Sequence, residues 1–480
     1  MGKDLPLQKG IKVDIDITSL NHSGEGVGRY RGIAVFVPFT APGDKVLAEI
    51  TELKKNFARG RLISISESSQ WRCKPACAIF SRCGGCRLQH LDYQEQLRRK
   101  TVMVKDSLAR IGHLSTAVVK TTIGMENSWH YRNKVSYHVE EKEGQAILGF
   151  YEKGTHQLAC YDAGCEVVQS LPWRQADKNT AGCLLVSEKL RKIAGLIEKL
   201  LNECQAGGDE RVRCRGWLRQ VILREAFATG ECMVVLVPGA DKWPAEKTFV
   251  MKLLKSCPEI ASIQKLINKN PAKAGFGGTA IVLAGKEFIT ERLGNLTFRI
   301  SARSFFQVNP VQASLLYRIA LDYAGLSGRE TVVDAYSGTG TIALFLAENA
   351  DRVYGLESIS GAVEDARANA VLNGITNAEF RCGEVEKLLP GMAAQGLHPE
   401  VIVLDPPRRG CGVAALNAVI AMKTPRVVYI SCDPGTLARD LGYLADKGYR
   451  VEEVQPVDMF PWTAHIEAVA CLERKHNDKL

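Results

Sequence analysis

From about Arg299 to the end, the chain alternates short apolar runs with longer helical stretches, and no other feature constrains its fold as strongly. The runs "TVVDAYSGTGTIALFLA", "RVYGLE", "VIVLDPP", "VVYISCDP" and "HIEAVACLE" read as strand cores. Strands that alternate with helices predict a doubly wound, Rossmann-like α/β sheet over residues 301–480. Ligands of such sheets bind beyond the carboxyl ends of the strands, so chemistry is expected where these runs stop. At 480 residues the chain exceeds one core, and typical domain sizes imply roughly three domains.

The first 66 residues follow a different period. "IKVDIDITSL", "AVFVPF", "DKVLAEITEL" and "FARGRLISI" switch apolar and polar residues with period near two, and "SGEGVGRYRG" and "TAPGDKV" supply turns. A small barrel of the oligonucleotide-binding type is expected over residues 1–66. Its "GEGVGR" and "VFVPFTAPGD" stretches resemble a TRAM domain, an RNA-binding module of RNA-modifying enzymes. Residues 67–300, with mixed strand and helix patterns and a basic helical segment "YQEQLRRKTVMVKDSLARIG", are expected to form an α+β central domain.

Charge and composition narrow the partners. Through Arg110 there are 19 Lys/Arg against 11 Asp/Glu, so 8 of the net +9 lies in the first quarter of the chain. A basic leading segment on a near-neutral body points to a polyanion, in a cytosolic enzyme usually nucleic acid. Hydrophobic and charged contents of 46% and 24% are ordinary for a soluble protein. The N-terminus lacks the apolar core of a signal peptide and no apolar run reaches about 18 residues. A cytoplasmic monomer without membrane contact is expected, its 15 cysteines reduced unless a metal or a reaction holds them.

"DAYSGTG" after the first C-terminal strand brings Gly338 and Gly340 to the start of a helix, where backbone can approach a ligand. Glu357 closes the next strand, placed to accept hydrogen bonds from a ribose diol. That pair fits dinucleotide-binding and S-adenosylmethionine-binding folds alike. Asp405 in "LDPPRRG" separates them, because an Asp-Pro-Pro at a strand end resembles the base-placing motif of nucleic-acid methyltransferases that use S-adenosylmethionine. The plain alternative is two prolines that merely end a strand.

The cysteine of "VVYISCDPGTLARDL" bears on which atom would be methylated. Carbon 5 of a pyrimidine is a poor nucleophile until something adds at carbon 6, a step suited to a thiolate such as that of Cys432. A base must then take the hydrogen left on carbon 5, and a carboxylate suffices. Glu467 lies in an otherwise apolar run, where a carboxylate needs a reason. Asp433 beside the thiol would raise its pKa, while amides of the following helix start would favour the anion. Cys411, in "RRGCG", is the competing nucleophile.

Taken together, "SFFQVNP", "DAYSGTG", "LDPPR", "ISCDPGTLARDL" and "HIEAVA" resemble the RNA (uracil-5-)-methyltransferases. The resemblance implies Cys432 as nucleophile and Glu467 as proton acceptor, with Gln307, Tyr336, Glu357 and Asp405 around S-adenosylmethionine. The rival from another class is an RNA-binding ribosome-assembly factor whose methyltransferase domain has lost activity, and intact Cys432, Glu467 and Asp405 speak against it.

"CKPACAIFSRCGGCRLQH" gathers Cys73, Cys77, Cys83 and Cys86. By residue type alone it fits a zinc site or iron–sulfur ligation, and cytosolic disulfides are disfavoured. The spacing resembles the family's [4Fe-4S] motif, which implies ligands at Cys77, Cys83 and Cys86, a fourth at Cys165 in "AGCEVV", and a spare Cys73. Since methyl transfer has no redox step, such a cluster would be structural or would orient RNA. A barrel combined with this motif resembles the branch acting on 23S ribosomal RNA; transfer RNA is the alternative substrate.

Overall fold

The computed structural model describes residues 7–159, 182–205, 217–239, 243–267 and 278–475. Strands β1 (Lys12–Leu20), β2 (Gly26–Tyr30), β3 (Ile33–Val37), β4 (Lys45–Leu53) and β5 (Phe57–Glu67) form a closed barrel in the order β1-β2-β3-β5-β4. The period-two pattern is the cause: on β1, Val13, Ile15 and Ile17 are buried while Lys12, Asp14 and Asp16 face water. Because β1 pairs with both β2 and β4, no edge is left open.

A loop carrying the cysteine-rich segment leads to helix α1 (Tyr93–Arg110), whose first turn is capped by the Asp92 carboxylate accepting from the Gln94 and Glu95 amides. After the two-residue strand β6 (Val118–Val119) comes a six-stranded sheet. It comprises β7 (Lys134–Lys142), β8 (Gln145–Gly149), β9 (Leu218–Glu225), β10 (Cys232–Pro238), β11 (Ile260–Ile267) and β12 (Thr279–Gly285), in the order β12-β11-β10-β9-β7-β8. Helices α2 (Glu188–Gln205) and α3 (Glu246–Ser256) cover it with Leu190, Ile197, Leu201, Phe249 and Leu253.

The hairpin β13 (Ile289–Leu293)–β14 (Leu296–Ile300) precedes α4 (Pro310–Ala324) and the C-terminal sheet. There follow β15 (Thr331–Ala335), α5 (Thr341–Ala347), β16 (Arg352–Glu357), α6 (Ser360–Leu372), β17 (Ala378–Cys382), α7 (Val385–Ala394), β18 (Val401–Leu404), α8 (Val413–Ala421), β19 (Arg426–Ser431), α9 (Pro434–Asp446), β20 (Tyr449–Val457) and β21 (Glu467–Arg474). The eight-stranded order is β17-β16-β15-β18-β19-β21-β20-β6. The five strands from β17 to β19 are parallel and covered on both faces, so β18 is apolar at every position.

Two features depart from a purely parallel sheet. Strand β21 inserts between β19 and β20 and runs antiparallel to both. Residues before the six-stranded sheet also join this unit: β6 pairs with β20, and Val104 and Leu108 of α1 pack into the same core as Leu437 and Leu441 of α9. Among the described residues no helix is long and apolar enough to cross a membrane.

Candidate active site

Strand direction assembles the reactive groups. Asp405 follows β18, and Cys432 follows the neighbouring parallel strand β19, with Leu404 opposite Tyr429. Both chain ends therefore emerge on the same side of the sheet. Strand β21 runs the other way, with Ala468 opposite Ser431, so its first residue, Glu467, arrives beside Cys432. A parallel last strand would have carried Glu467 to the opposite edge. These three residues line one cavity with Gln307, Tyr336 and Glu357. Its volume of about 1830 Å³ exceeds the roughly 300–1,000 Å³ of a single small-ligand pocket, leaving room for a co-substrate and a nucleotide together.

The carboxylates are costly in this setting. Burial, then the proximity of Asp405, holds the Glu467 carboxyl well above the usual carboxylate range, opposed by the nearby Arg408 guanidinium. Burial likewise pushes Asp405 up to about 7. The Cys432 thiol is pushed up to about 11 by burial and by the charges of Glu467 and Asp405, again opposed by Arg408. The sequence suggested that Asp433 would disfavour the thiolate and that helix-start amides would favour it. Instead Asp433 caps α9, accepting the Gly435 and Thr436 amides at 2.9 Å each, so those donors are spent on the cap. Besides burial, the groups that act on the thiol are Glu467 and Asp405, which disfavour the anion, and Arg408 and the backbone of Cys432 itself, which favour it.

On the other side of the cavity, the loop after β15 wraps around Glu357. Its carboxylate accepts from the Gly338 amide at 3.1 Å and from the Ile359 amide at 2.8 Å. Tyr336 holds a left-handed conformation, φ 70°, and its hydroxyl donates to Glu386 at 3.0 Å. Gly340 has φ 82°, and a Cβ there would meet Ala366 Cβ and Phe380 Cζ at 3.0 Å each, so α5 can start this close to α6 only from glycine. Gln307 lies just before α4, its carbonyl accepting from Asn133 Nδ2 at 3.3 Å. Cys411 also lines the cavity but faces Tyr336, Tyr429 and Asp440; burial pushes its thiol up to about 12.

Two residues were not singled out from the sequence. Arg408, which follows the Asp-Pro-Pro, is a cation whose charge favours both the Cys432 and the Glu467 anion, and its position in "LDPPR" was the available signal. It donates to Nδ1 of His465 at 3.3 Å, and burial with surrounding cations pushes that imidazole down to about 4, leaving it neutral as acceptor.

The segment leading into Glu467 is fixed by distant residues. The fully buried Lys100 ammonium lies 2.6 Å from Asp458, which also accepts from the Tyr93 hydroxyl at 3.0 Å. Trp462 donates through Nε1 to the Ser128 carbonyl at 3.0 Å and stacks on Trp129 at 4.3 Å between centroids. Its own carbonyl accepts the amides of Arg87 and Leu88 at 3.0 and 3.1 Å. The cysteine-rich loop thus buttresses the approach to Glu467. That loop carries Cys77, Cys83 and Cys86, whereas Cys165 lies outside the described residues. Among the described residues no group of three or more His, Cys, Asp or Glu side chains is placed to hold a metal ion.

Comparison with known proteins agrees with this architecture. The tRNA (Uracil-5-)-methyltransferase family matches residues 277–475, and the TRAM domain matches residues 6–63. An uncharacterized RNA methyltransferase of Halalkalibacterium halodurans is 43% identical over 98% of this chain and 99% of its own length. Another, of Caldanaerobacter subterraneus, is 43% identical over 97% of this chain and 98% of its own. Among solved structures, the Pyrococcus abyssi tRNA (uracil-54, C5)-methyltransferase in complex with S-adenosyl-L-homocysteine superposes with a TM-score of 0.69 at 26% identity, covering 96% of this chain and all of that one. With a closed TRAM barrel at its N-terminus and a methyltransferase sheet at its C-terminus, the chain belongs to the RNA (uracil-5-)-methyltransferase family.

Proposed function

We propose that this protein methylates carbon 5 of a uridine in 23S ribosomal RNA, with Cys432 as nucleophile and Glu467 as base. The observation that carries this is the reversal of β21, which sets Glu467 against Cys432 and Asp405 at the strand ends. When bound, S-adenosylmethionine supplies a methyl group on a cationic sulfonium centre. Gln307, Tyr336, Glu357 and Asp405 line the part of the cavity that would hold it.

The Cys432 sulfur, as thiolate, forms a bond to carbon 6 of the uracil, and the displaced electron pair passes to the carbonyl oxygen at carbon 4. Carbon 5, now electron-rich, takes up the methyl group. Glu467 then accepts the hydrogen on carbon 5 as a proton; the carbon 5–carbon 6 double bond reforms and the Cys432 sulfur leaves with its electron pair. Arg408 is the group that favours both anions this sequence requires. The target base must leave its stack to reach the cavity.

The cysteine-rich loop is read as the site of a [4Fe-4S] cluster held by Cys77, Cys83 and Cys86. These donors fit the group: all are thiols, and the Gly85 amide donates to Cys83 Sγ at 3.4 Å. The buried Arg132 Nε finds no hydrogen-bond partner among the described residues, and its charge faces Cys86 and Cys83. When bound, the cluster supplies iron–thiolate bonds that tie this loop together. A barrel and a cluster on one chain favour ribosomal RNA. The likeness to the archaeal transfer RNA enzyme along nearly the whole chain favours transfer RNA as the second reading.

The test is incubation of wild type and Cys432→Ala with S-adenosylmethionine and RNA containing 5-fluorouridine. Fluorine cannot leave as a proton does, so wild type should accumulate a denaturation-resistant adduct and the variant none. An undiminished adduct in the variant would overturn the assignment. Mapping 5-methyluridine in ribosomal and transfer RNA from a deletion strain separates the two substrates.

A further inference from the structure

The stretch "ISCDPGTLARDL" continues past Cys432 into α9, and three of its polar residues carry no step of the reaction. Thr436, Arg439 and Asp440 follow one another at spacings of three and four along the helix, which puts them on one face. That face meets the turn after the Asp-Pro-Pro, residues 408–412. We propose, on the reading that Cys432 is the nucleophile, that Asp440 is a positioning residue: it ties the strand that delivers Cys432 to the turn that carries Arg408, and so holds the Arg408 guanidinium within reach of the Cys432 sulfur.

Asp440 is buried, and its carboxylate is filled from three elements. Oδ2 accepts the Tyr429 hydroxyl of β19 at 2.6 Å and the Cys411 amide of the turn at 2.8 Å, while Oδ1 accepts Nε of Arg439 at 2.7 Å. Tyr429 stands three residues before Cys432, so one side chain spans the strand of the nucleophile and the turn of the cation. Its neighbours on the helix take carbonyls of the same turn. Thr436 Oγ1 donates to Arg408 O at 3.2 Å, and Arg439 Nη2 donates to Arg409 O at 2.9 Å.

The turn is shaped for this contact. Gly410 has φ 77° and its amide donates to the Pro407 carbonyl at 2.8 Å. A Cβ at Gly410 would lie 2.5 Å from Asp440 Oδ2, so the turn reaches the helix this closely only through glycine. The backbone of Arg408 is thus held by α9, and the far end of its side chain by His465, two residues before Glu467.

A direct role and a positioning role for Asp440 differ in sign. The charges that act most on Cys432 are Glu467 from β21, Asp405 after β18, and Arg408. A carboxylate acting on the thiol through its own charge would disfavour the thiolate, so its removal would make the thiol easier to ionise. Acting through Arg408, Asp440 favours the thiolate, and its removal makes the thiol harder to ionise.

The experiment follows iodoacetamide labelling of Cys432 in the full chain, read on its own peptide by mass spectrometry, from about pH 7 to about pH 10. Arg408→Ala should label about tenfold more slowly than wild type at a given pH, and Asp440→Asn at least about threefold more slowly, as the thiolate fraction falls. In the Arg408→Ala background, Asp440→Asn should add nothing further. Labelling of Asp440→Asn equal to or faster than wild type would overturn the proposal. So would a slowing that persists undiminished in the Arg408→Ala background, since it would not act through Arg408. Should Asp440→Asn fold poorly, Thr436→Val removes one contact to the turn without changing any charge; it should slow labelling about twofold, and wild-type labelling there would equally overturn the proposal. Failure of the nucleophile assignment is read separately, as absence of the 5-fluorouridine adduct in wild type.

Discussion

The catalytic cavity and the cysteine-rich loop both gather reactive side chains from far apart in sequence, by different means. In the cavity, Asp405, Cys432 and Glu467 stand at the ends of three adjacent strands, so backbone register fixes their spacing. In the loop, Cys77, Cys83 and Cys86 lie outside named strands and helices, held by turns, with Cys86 packed against Trp462. A sheet positions groups through many shared hydrogen bonds and tolerates local change. A loop depends on a few contacts and on whatever it binds. The two regions meet at Trp462, whose carbonyl takes amides from the cysteine loop five residues before Glu467.

The largest expected effect separates the regions cleanly. Cys432→Ala should lower methylation by roughly 10⁴-fold or more, as for removal of a covalent nucleophile, while leaving iron content at the wild-type level. Quantified 5-methyluridine and iron per chain check this; loss of iron in that variant would show the two regions are not independent. Glu467→Gln should slow turnover by about 10²–10⁴-fold and accumulate covalent adduct on unmodified RNA, because addition proceeds and elimination stalls. Denaturing gels report that adduct.

Trp462→Ala attacks the junction itself. Loss of a buried indole should cost about 3–5 kcal/mol of stability, and its loss from the shared packing should lower both iron content and methylation. Denaturant unfolding with parallel iron assay tests the coupling; a variant that loses one property alone would break the junction in two.

Protonation sharpens the comparison further. Burial holds both acids in the cavity above their ordinary values and pushes the Cys432 thiol up to about 11, so its thiolate is scarce at neutral pH. Turnover in the chemical step should rise with pH, up to about tenfold per unit below the thiol pKa. A rate–pH profile measured on wild type reads this directly.

The smallest effect concerns stability. The folded-state pKa of Asp405, about 7, lies above its ordinary 3.8. Any stability linked to its protonation is therefore full below about pH 4 and lost as pH rises through 7. Asp405→Asn should be neutral for melting at pH 4 and stabilising by about 2 kcal/mol above pH 7, even as it weakens methylation. Melting curves at the two pH values decide the sign.

The sequence by itself determined the barrel, because period-two burial on β1 leaves one way to face the core. It also determined the parallel strands and their ends, since runs such as "VIVL" are apolar throughout. Asp405 and Cys432 were legible there because motif and strand end coincide. Only the tertiary structure decided the rest. That Glu467 opens an antiparallel strand depends on where β21 inserts, which no local pattern encodes. That α1 and β6 join the C-terminal sheet depends on long-range burial, with Lys100 meeting Asp458 across the chain. Asp433 turned out to cap a helix rather than tune the thiol, because hydrogen-bond geometry, not adjacency, selects partners.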